Sequence, residues 1–178
     1  PSAQCIVAHD GIRAERFADM PNRTAAREAM GWPTEAFIVG YVGRLTTYNM
    51  SKGVDTLVDA MAKLPQRDTA ALALVGGPDD IAEEYRARWL ALGLPVANFL
   101  YAGQVPADAV PRCLAAFDVC AMPLPHTEHF AFYASPLKLF EYMASGRALV
   151  ATGLPSWADV LRHEDNALLV PPDDAAAL

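Results

Sequence analysis

A chain of 178 residues, 53% hydrophobic and 20% charged, can bury one core of ordinary domain size and is too apolar for disorder to dominate. The formal net charge of −7 lacks the basic footprint that a phosphate backbone demands, which excludes nucleic acid as the expected partner, and no run of about 18 apolar residues could span a membrane. The cysteines Cys5, Cys113 and Cys120 stand in apolar surroundings without a CxxC pair, so they read as reduced core residues of a cytoplasmic protein.

In chain order, QCIVAHDGI begins as a short strand and turns at Asp10 and Gly11. TAAREAM reads as a short helix capped by Thr24 and stopped by Gly31, with Pro33 beyond. FIVGYVGRL is a strand buried on both faces that ends in Gly43 and Arg44. After the polar loop TTYNMS, KGVDTLVDAMAKL is a helix with Val54, Leu57, Val58 and Met61 facing inward. Lys52 opens that helix against its dipole, a placement that makes sense with an anion nearby.

The unit then repeats. ALALVGGP is a strand ending at Gly76 and Gly77, IAEEYRARWLALG a helix closed by Gly93, NFLYAGQV a strand ending in a loop at Gly103, and DAVPRCLAAF a helix that tolerates Pro111 in its first turn. DVCAMPL is the next strand, followed by the aromatic loop PHTEHFAFYA, the helix SPLKLFEYMASG, the strand ALVATGL, a helix over WADVLRHE and a last strand, NALLVPP. Strands alternating with helices imply right-handed crossovers and a doubly wound, Rossmann-like α/β domain with a parallel sheet. Pro1 and the closing PPDDAAAL, where Asp173 and Asp174 would cap a helix too short to form, make both ends read as cut. The expected organisation is a connector over residues 1–35 and one domain over 36–178 of a longer protein.

In such sheets ligands sit outside the carboxyl ends of the strands, where the unusual residues gather. Arg44 and Lys52 offer a planar fork and a point charge suited to two phosphates. The first-turn amides of Leu137 and Lys138 add free donors, completing a diphosphate cradle. On the same helix Leu137, Phe140, Met143 and Ala144 are expected to face the core, while Lys138, Tyr142 and Ser145 face away. Glu141 falls at the stripe's edge, where a carboxylate needs a donor partner or a ligand hydroxyl. One turn along the helix, it could accept hydrogen bonds from a ribose. Gly76 and Gly103 would let backbone approach the rest of a nucleotide. The absence of GxGxxG and GxxxxGK[ST] patterns argues against an NAD enzyme or an ATPase, and that of GxSxG against a serine hydrolase. His126, Glu128 and His129 cluster in a loop without the helical spacing of HExxH, so ligand or solvent contact is favoured over a metal.

Taken in order, GYVGRL, KGVDTLVDAM, LALVGG, YAGQV, AAFDVCAMPL, SPLKLFEYMASGRALVAT and NALLVPPDD resemble the C-terminal, donor-binding domain of family 4 (group 1) retaining glycosyltransferases, which have the two-domain GT-B fold. The resemblance runs from about His9 to the chain's end. It implies a nucleotide-diphosphate sugar donor with Arg44 and Lys52 on the diphosphate, Gln104 and Val105 near the base and Glu141 on the ribose. It further implies a cytoplasmic, metal-independent enzyme using UDP or GDP sugars without any other cofactor. Hexosyl transfer in polysaccharide or lipopolysaccharide assembly is the expected activity. The acceptor site would lie in a missing N-terminal domain, through which peripheral membrane association is expected, and this fragment alone would be inactive. The family's pair of glutamates is incomplete: Glu141 matches the second, but Tyr133 stands at the first. Sugar contacts are therefore expected from the aromatic loop, through His129, Tyr133 or Ser135. A GT-B sugar-nucleotide epimerase and a non-catalytic nucleotide-binding or regulatory domain are the alternatives.

Overall fold

The computed structural model describes Ala8 and residues 10–48, 50–135 and 137–178; the strand expected in QCIVAHDGI falls largely outside these. The strands are β1 (Phe37–Val42), β2 (Thr46–Thr47), β3 (Met50–Ser51), β4 (Ala70–Val75), β5 (Phe99–Tyr101), β6 (Val119–Met122), β7 (Ala148–Thr152) and β8 (Leu168–Val170). The helices are α1 (Arg23–Met30), α2 (Val54–Met61), α3 (Asp79–Ala91), α4 (Val110–Ala115) and α5 (Leu137–Ala144). Six strands form one parallel sheet in the order β5-β4-β1-β6-β7-β8, the doubly wound architecture expected from the alternation. β2 and β3 pair as a small antiparallel hairpin within the predicted polar loop.

Alternate strand residues feed two cores. Ile38, Val42, Ala71 and Met122 pack with Cys113 and Leu114 of α4 and Leu139 and Tyr142 of α5. Val39, Tyr41, Leu72 and Leu74 pack on the other face with Leu57, Val58 and Met61 of α2 and Tyr85 and Trp89 of α3. The inward face predicted for α2 is observed, as all four of its named residues are buried. Cys113 and Cys120 are free and buried; Cys5 lies outside the described residues. Among the described residues no helix is long and apolar enough to cross a membrane.

Three local expectations are corrected. The cap of α1 is Asn22, whose side chain accepts from the Ala25 amide at 2.9 Å, because the helix starts before Thr24. WADVLRHE forms no helix: a 3-10 turn over Pro155–Trp157 leads into turns. Side chains there take backbone groups a helix would have used, as Asn166 accepts from the Arg162 amide at 2.8 Å and donates to the Val160 carbonyl at 2.9 Å.

The third correction concerns α5. Tyr142, Ser145 and Leu139 are buried, while Leu137 and Met143 are 46% and 39% exposed, so the helix is rotated from the face its aliphatic residues suggested. Lys138 turns inward over the strand ends, its ammonium lying over the Tyr41 ring and beside Gly43. Tyr142 also brings a hydroxyl that two backbone groups of β1 require.

Candidate functional site

β1 is flanked by β4 on one side and β6 on the other, so the winding direction reverses between β1 and β6, the place where such sheets bind ligands. Their register is set by Val39↔Val119 and Gly40↔Cys120, while β1 runs on to Val42 and β6 to Met122. The strands part beyond that point, and a crevice of about 390 Å³ opens, walled by Tyr41 and Met122 at the strand ends, Lys52, Ser135, and Leu137, Lys138 and Glu141 of α5.

The two ammoniums in this crevice rest on aromatic rings, a cation–π geometry. Lys138 Nζ lies 5.3 Å from the Tyr41 ring centroid and Lys52 Nζ 4.3 Å from that of Phe130. Among the described residues neither is within ion-pair distance of a carboxylate. Burial, and then the facing Lys52, push Lys138 down to about 8, with Glu141 opposing. Burial also lowers Lys52. With no carboxylate at ion-pair distance from these cations among the described residues, an anion placed between them would also meet the first-turn amides of α5.

Glu141 finds a partner that sequence reasoning did not name. Arg16, in the 3-10 turn Ala14–Phe17, brings Nη1 to 3.7 Å from Glu141 Oε1. Burial raises the Glu141 carboxyl above its ordinary range, with Arg16 and then Lys138 opposing. No local pattern in the sequence marked Arg16; its turn is held by the neighbouring Phe17, which is buried.

Arg44 occupies an adjoining groove of about 300 Å³ with Thr46, Gly77, Pro78 and Gln104. A narrower space of about 140 Å³ joins Arg44 and Gln104 to Gly43, Gly76 and Val105. Arg44, Gly76, Gln104 and Val105 are thus brought together on the β4 side, Lys52, Lys138 and Glu141 on the β6 side, with Gly43 between them. Gly76 has φ 135°, and a Cβ there would collide with the Gly43 carbonyl. Its freedom is therefore used for close packing of strand ends. Gly103 accepts from the Gly76 amide at 2.7 Å.

The loop after β6 contains a π-helical turn, His129–Tyr133. Tyr133, 71% exposed, faces a separate cavity of about 480 Å³ with Phe132, Ser156 and Asp159, and among the described residues Ser135 alone borders both that cavity and the crevice. His129 stacks edge-on to Tyr48 at 6.2 Å and Phe130 at 5.1 Å. Among the described residues no three His, Cys, Asp or Glu side chains converge as metal ligands.

Fold and crevice define the class: a doubly wound domain with a cationic, helix-capped cleft at its switch point. The family model described as glycosyl transferases group 1 matches residues 36–178, and the chain belongs to this family, as one Rossmann-like domain of the GT-B architecture. It is 30% identical over 173 residues to the phosphatidyl-myo-inositol mannosyltransferase of Mycobacterium tuberculosis, covering 95% of this chain and 43% of that one. With the D-inositol 3-phosphate glycosyltransferase of Acidothermus cellulolyticus it shares 32% over 159 residues, 85% and 34% of the two chains. The crystal structure of Anabaena HepE in complex with UDP and glucose superposes with a TM-score of 0.75 at 25% identity, covering 94% of this chain and 43% of HepE. The chain spans less than half the length of these relatives.

Proposed function

We propose that this domain holds the nucleotide-diphosphate sugar donor of a retaining, hexosyl-transferring glycosyltransferase. The observation that carries this reading is the pair of half-buried ammoniums in one crevice, Lys138 from the first turn of α5 and Lys52 from before α2, with one carboxylate, Glu141, a turn further along α5. The diphosphate lies against Lys52, Lys138 and the amides of Leu137 and Lys138, with Arg44 reaching it from across Gly43. The nucleoside extends so that Glu141 accepts from ribose hydroxyls and the base lies near Gly76, Gly103, Gln104 and Val105. The sugar points toward Ser135, with His129 and Tyr133 on the loop beyond.

In the transfer step the bond from the anomeric carbon to the diphosphate oxygen breaks and that oxygen takes the electron pair, while the acceptor's hydroxyl oxygen bonds to the anomeric carbon and its proton passes to the departing diphosphate. Preorganised cations and helix donors stabilise charge that develops there, so no metal and no further cofactor are proposed. HepE, solved with UDP and glucose and with UDP-glucose, supports a nucleotide sugar and makes UDP the first probe, with GDP next. Nothing among the relatives above favours the epimerase or regulatory alternatives. We place the acceptor site in the length of the relatives that this chain does not span, together with any peripheral membrane contact. The working location is cytoplasmic, and the chain alone is expected to bind donor without transferring it.

Calorimetric titration with UDP, GDP and ADP tests the reading. At least one should bind, and Lys138→Ala should weaken it by about tenfold or more, the scale of a charge-assisted contact. Binding of none of the three overturns the proposal, as does an affinity unchanged by both Lys138→Ala and Arg44→Ala.

A further inference from the structure

Arg16 makes two contacts in different directions. One guanidinium nitrogen faces Glu141 at 3.7 Å, and the other donates to the carbonyl of Ala107. Ala107 opens the 3-10 turn Ala107–Ala109 that leads from the loop of Gln104 and Val105 into α4. A single side chain thus ties the connector before β1 to α5 and to the loop after β5, two segments assigned to ribose and base. A planar guanidinium suits this double task, whereas an ammonium is a single point charge. The turn that carries it is anchored by buried Phe17, over whose ring the guanidinium lies at 5.9 Å. Arg16 also lies outside residues 36–178, the segment the family model covers.

Resting on the donor-binding reading above, we propose that Arg16 is a positioning residue for nucleoside recognition, holding Glu141 as an oriented carboxylate at a fixed distance from the Gln104–Val105 loop. It leaves the diphosphate to the lysines. Glu141 is 19% exposed and Arg16 32%, so the pair is partly withdrawn from water and its attraction is only partly screened. The charged and titratable groups facing Glu141 are Arg16 from the connector and, on α5, Lys138 and Tyr142, with Lys52 facing Lys138 across the crevice. Without Arg16, Glu141 keeps its burial and loses its principal opposing charge, so it takes up a proton at higher pH. A protonated carboxyl accepts ribose hydroxyls less well.

The test is calorimetry on the chain with UDP, GDP, ADP and inorganic pyrophosphate, comparing the unaltered protein with Arg16→Ala, Arg16→Lys, Glu141→Gln and the Arg16→Ala, Glu141→Gln double variant. Arg16→Ala should weaken whichever nucleoside diphosphate binds by about tenfold and pyrophosphate by less than about twofold. Arg16→Lys should recover only part of the loss. In the Glu141→Gln background the loss should vanish, and the low-pH fall in nucleoside affinity should begin at higher pH in Arg16→Ala. Nucleoside affinity unchanged in Arg16→Ala overturns the inference, as does an equal loss for pyrophosphate or a full effect persisting with Glu141→Gln. If Arg16→Ala fails to fold, Arg16→Lys decides, since affinity equal to the unaltered chain overturns the proposal. If no nucleotide binds the unaltered chain, the donor reading fails first and this inference with it, an outcome distinct from the others.

Discussion

Tyr142 closes the open end of β1: the Val42 amide donates to its hydroxyl at 2.8 Å, and the hydroxyl donates to the Val42 carbonyl at 3.3 Å. Because β1 and β6 part after Gly40↔Cys120, these two groups lack a neighbouring strand on that side. Tyr142→Phe keeps the ring and removes both bonds. Leaving two buried backbone groups unmet is expected to cost about 1–3 kcal/mol for each, lowering Tm by about 2–4 °C per kcal/mol. Scanning calorimetry checks this. An unchanged Tm would mean that water satisfies Val42 and that the tyrosine serves by packing alone.

That contact also shows where sequence reading stops. Whereas the strand order around β1 is set by how the crossovers pack, the parallel sheet and the inward face of α2 follow from periodicity and alternation, which local chemistry encodes. The orientation of α5 does not, because LKLFEYMA offers apolar residues on most of its circumference. What decides its rotation is Val42, 100 positions away. Arg16 was illegible for the same reason, its partners Glu141 and Ala107 being remote in sequence. The candidate residues Lys52 and Glu141 were legible because a cation at a helix start and a carboxylate at a core edge are locally anomalous, whereas Lys138 was read only for its backbone amide and its side chain, expected to face away, turns over the Tyr41 ring. The separation of Arg44 from Lys52 by Gly43 depends on how the strand ends meet, which spacing cannot convey.

Lys138 gives a pH signature. Its folded value of about 8 lies below its ordinary 10.5, so between these the unfolded chain holds a proton that the folded chain has released. Stability contributed by this group therefore rises with pH through that window, and below about pH 8 the full cost of burying the charge is present. Lys138→Met removes that cost. The variant should be more stable than the unaltered chain at pH 7, with the gap closing as pH approaches 10.5, while diphosphate affinity is lost. Urea melts at a series of pH values check it; a gap independent of pH would show that Lys138 is not held down by burial.

Far from the crevice, Arg27 is 1% exposed and donates to the carbonyls of Ala116, Thr34 and Ala36 at 2.8, 2.6 and 2.9 Å and to Asp118 at 2.6 Å. Asp118 also accepts from the Ile38 amide at 2.7 Å. Burial would raise Asp118, but that amide, Arg27 and Arg23 outweigh it and hold the carboxyl below its ordinary 3.8. Its stabilisation is therefore present above that pH and lost as the pH falls through the lower folded value. Arg27→Ala leaves the partly buried Asp118 to Arg23 and the Ile38 amide and takes the donors from three carbonyls, and should cost about 3 kcal/mol. Asp118→Asn should flatten the acid limb of the stability profile. Denaturant melts read both, and an Arg27→Ala loss below about 1 kcal/mol would show that solvent reaches Asp118.

Gly43 sets the position of Lys138. Its φ is 137°, a conformation that side chains rarely adopt, and a Cβ placed there would run into the Lys138 ammonium. The backbone cannot step aside easily, since the Gly43 amide donates to the Val75 carbonyl at 2.7 Å and its carbonyl fills the space where a Gly76 side chain would be. Gly43→Ala should therefore displace Lys138 from Tyr41 and add backbone strain of about 1–2 kcal/mol. Affinity for UDP, or for whichever diphosphate binds, should fall by about tenfold, as expected when one charge-assisted contact is lost. In a Lys138→Ala background the same substitution should leave affinity unchanged and reduce only stability, because the side chain it expels is already gone. Calorimetry on the two single variants and the double variant measures that coupling. Additive losses would mean that Gly43 touches the ligand through its own backbone and does not act through the lysine.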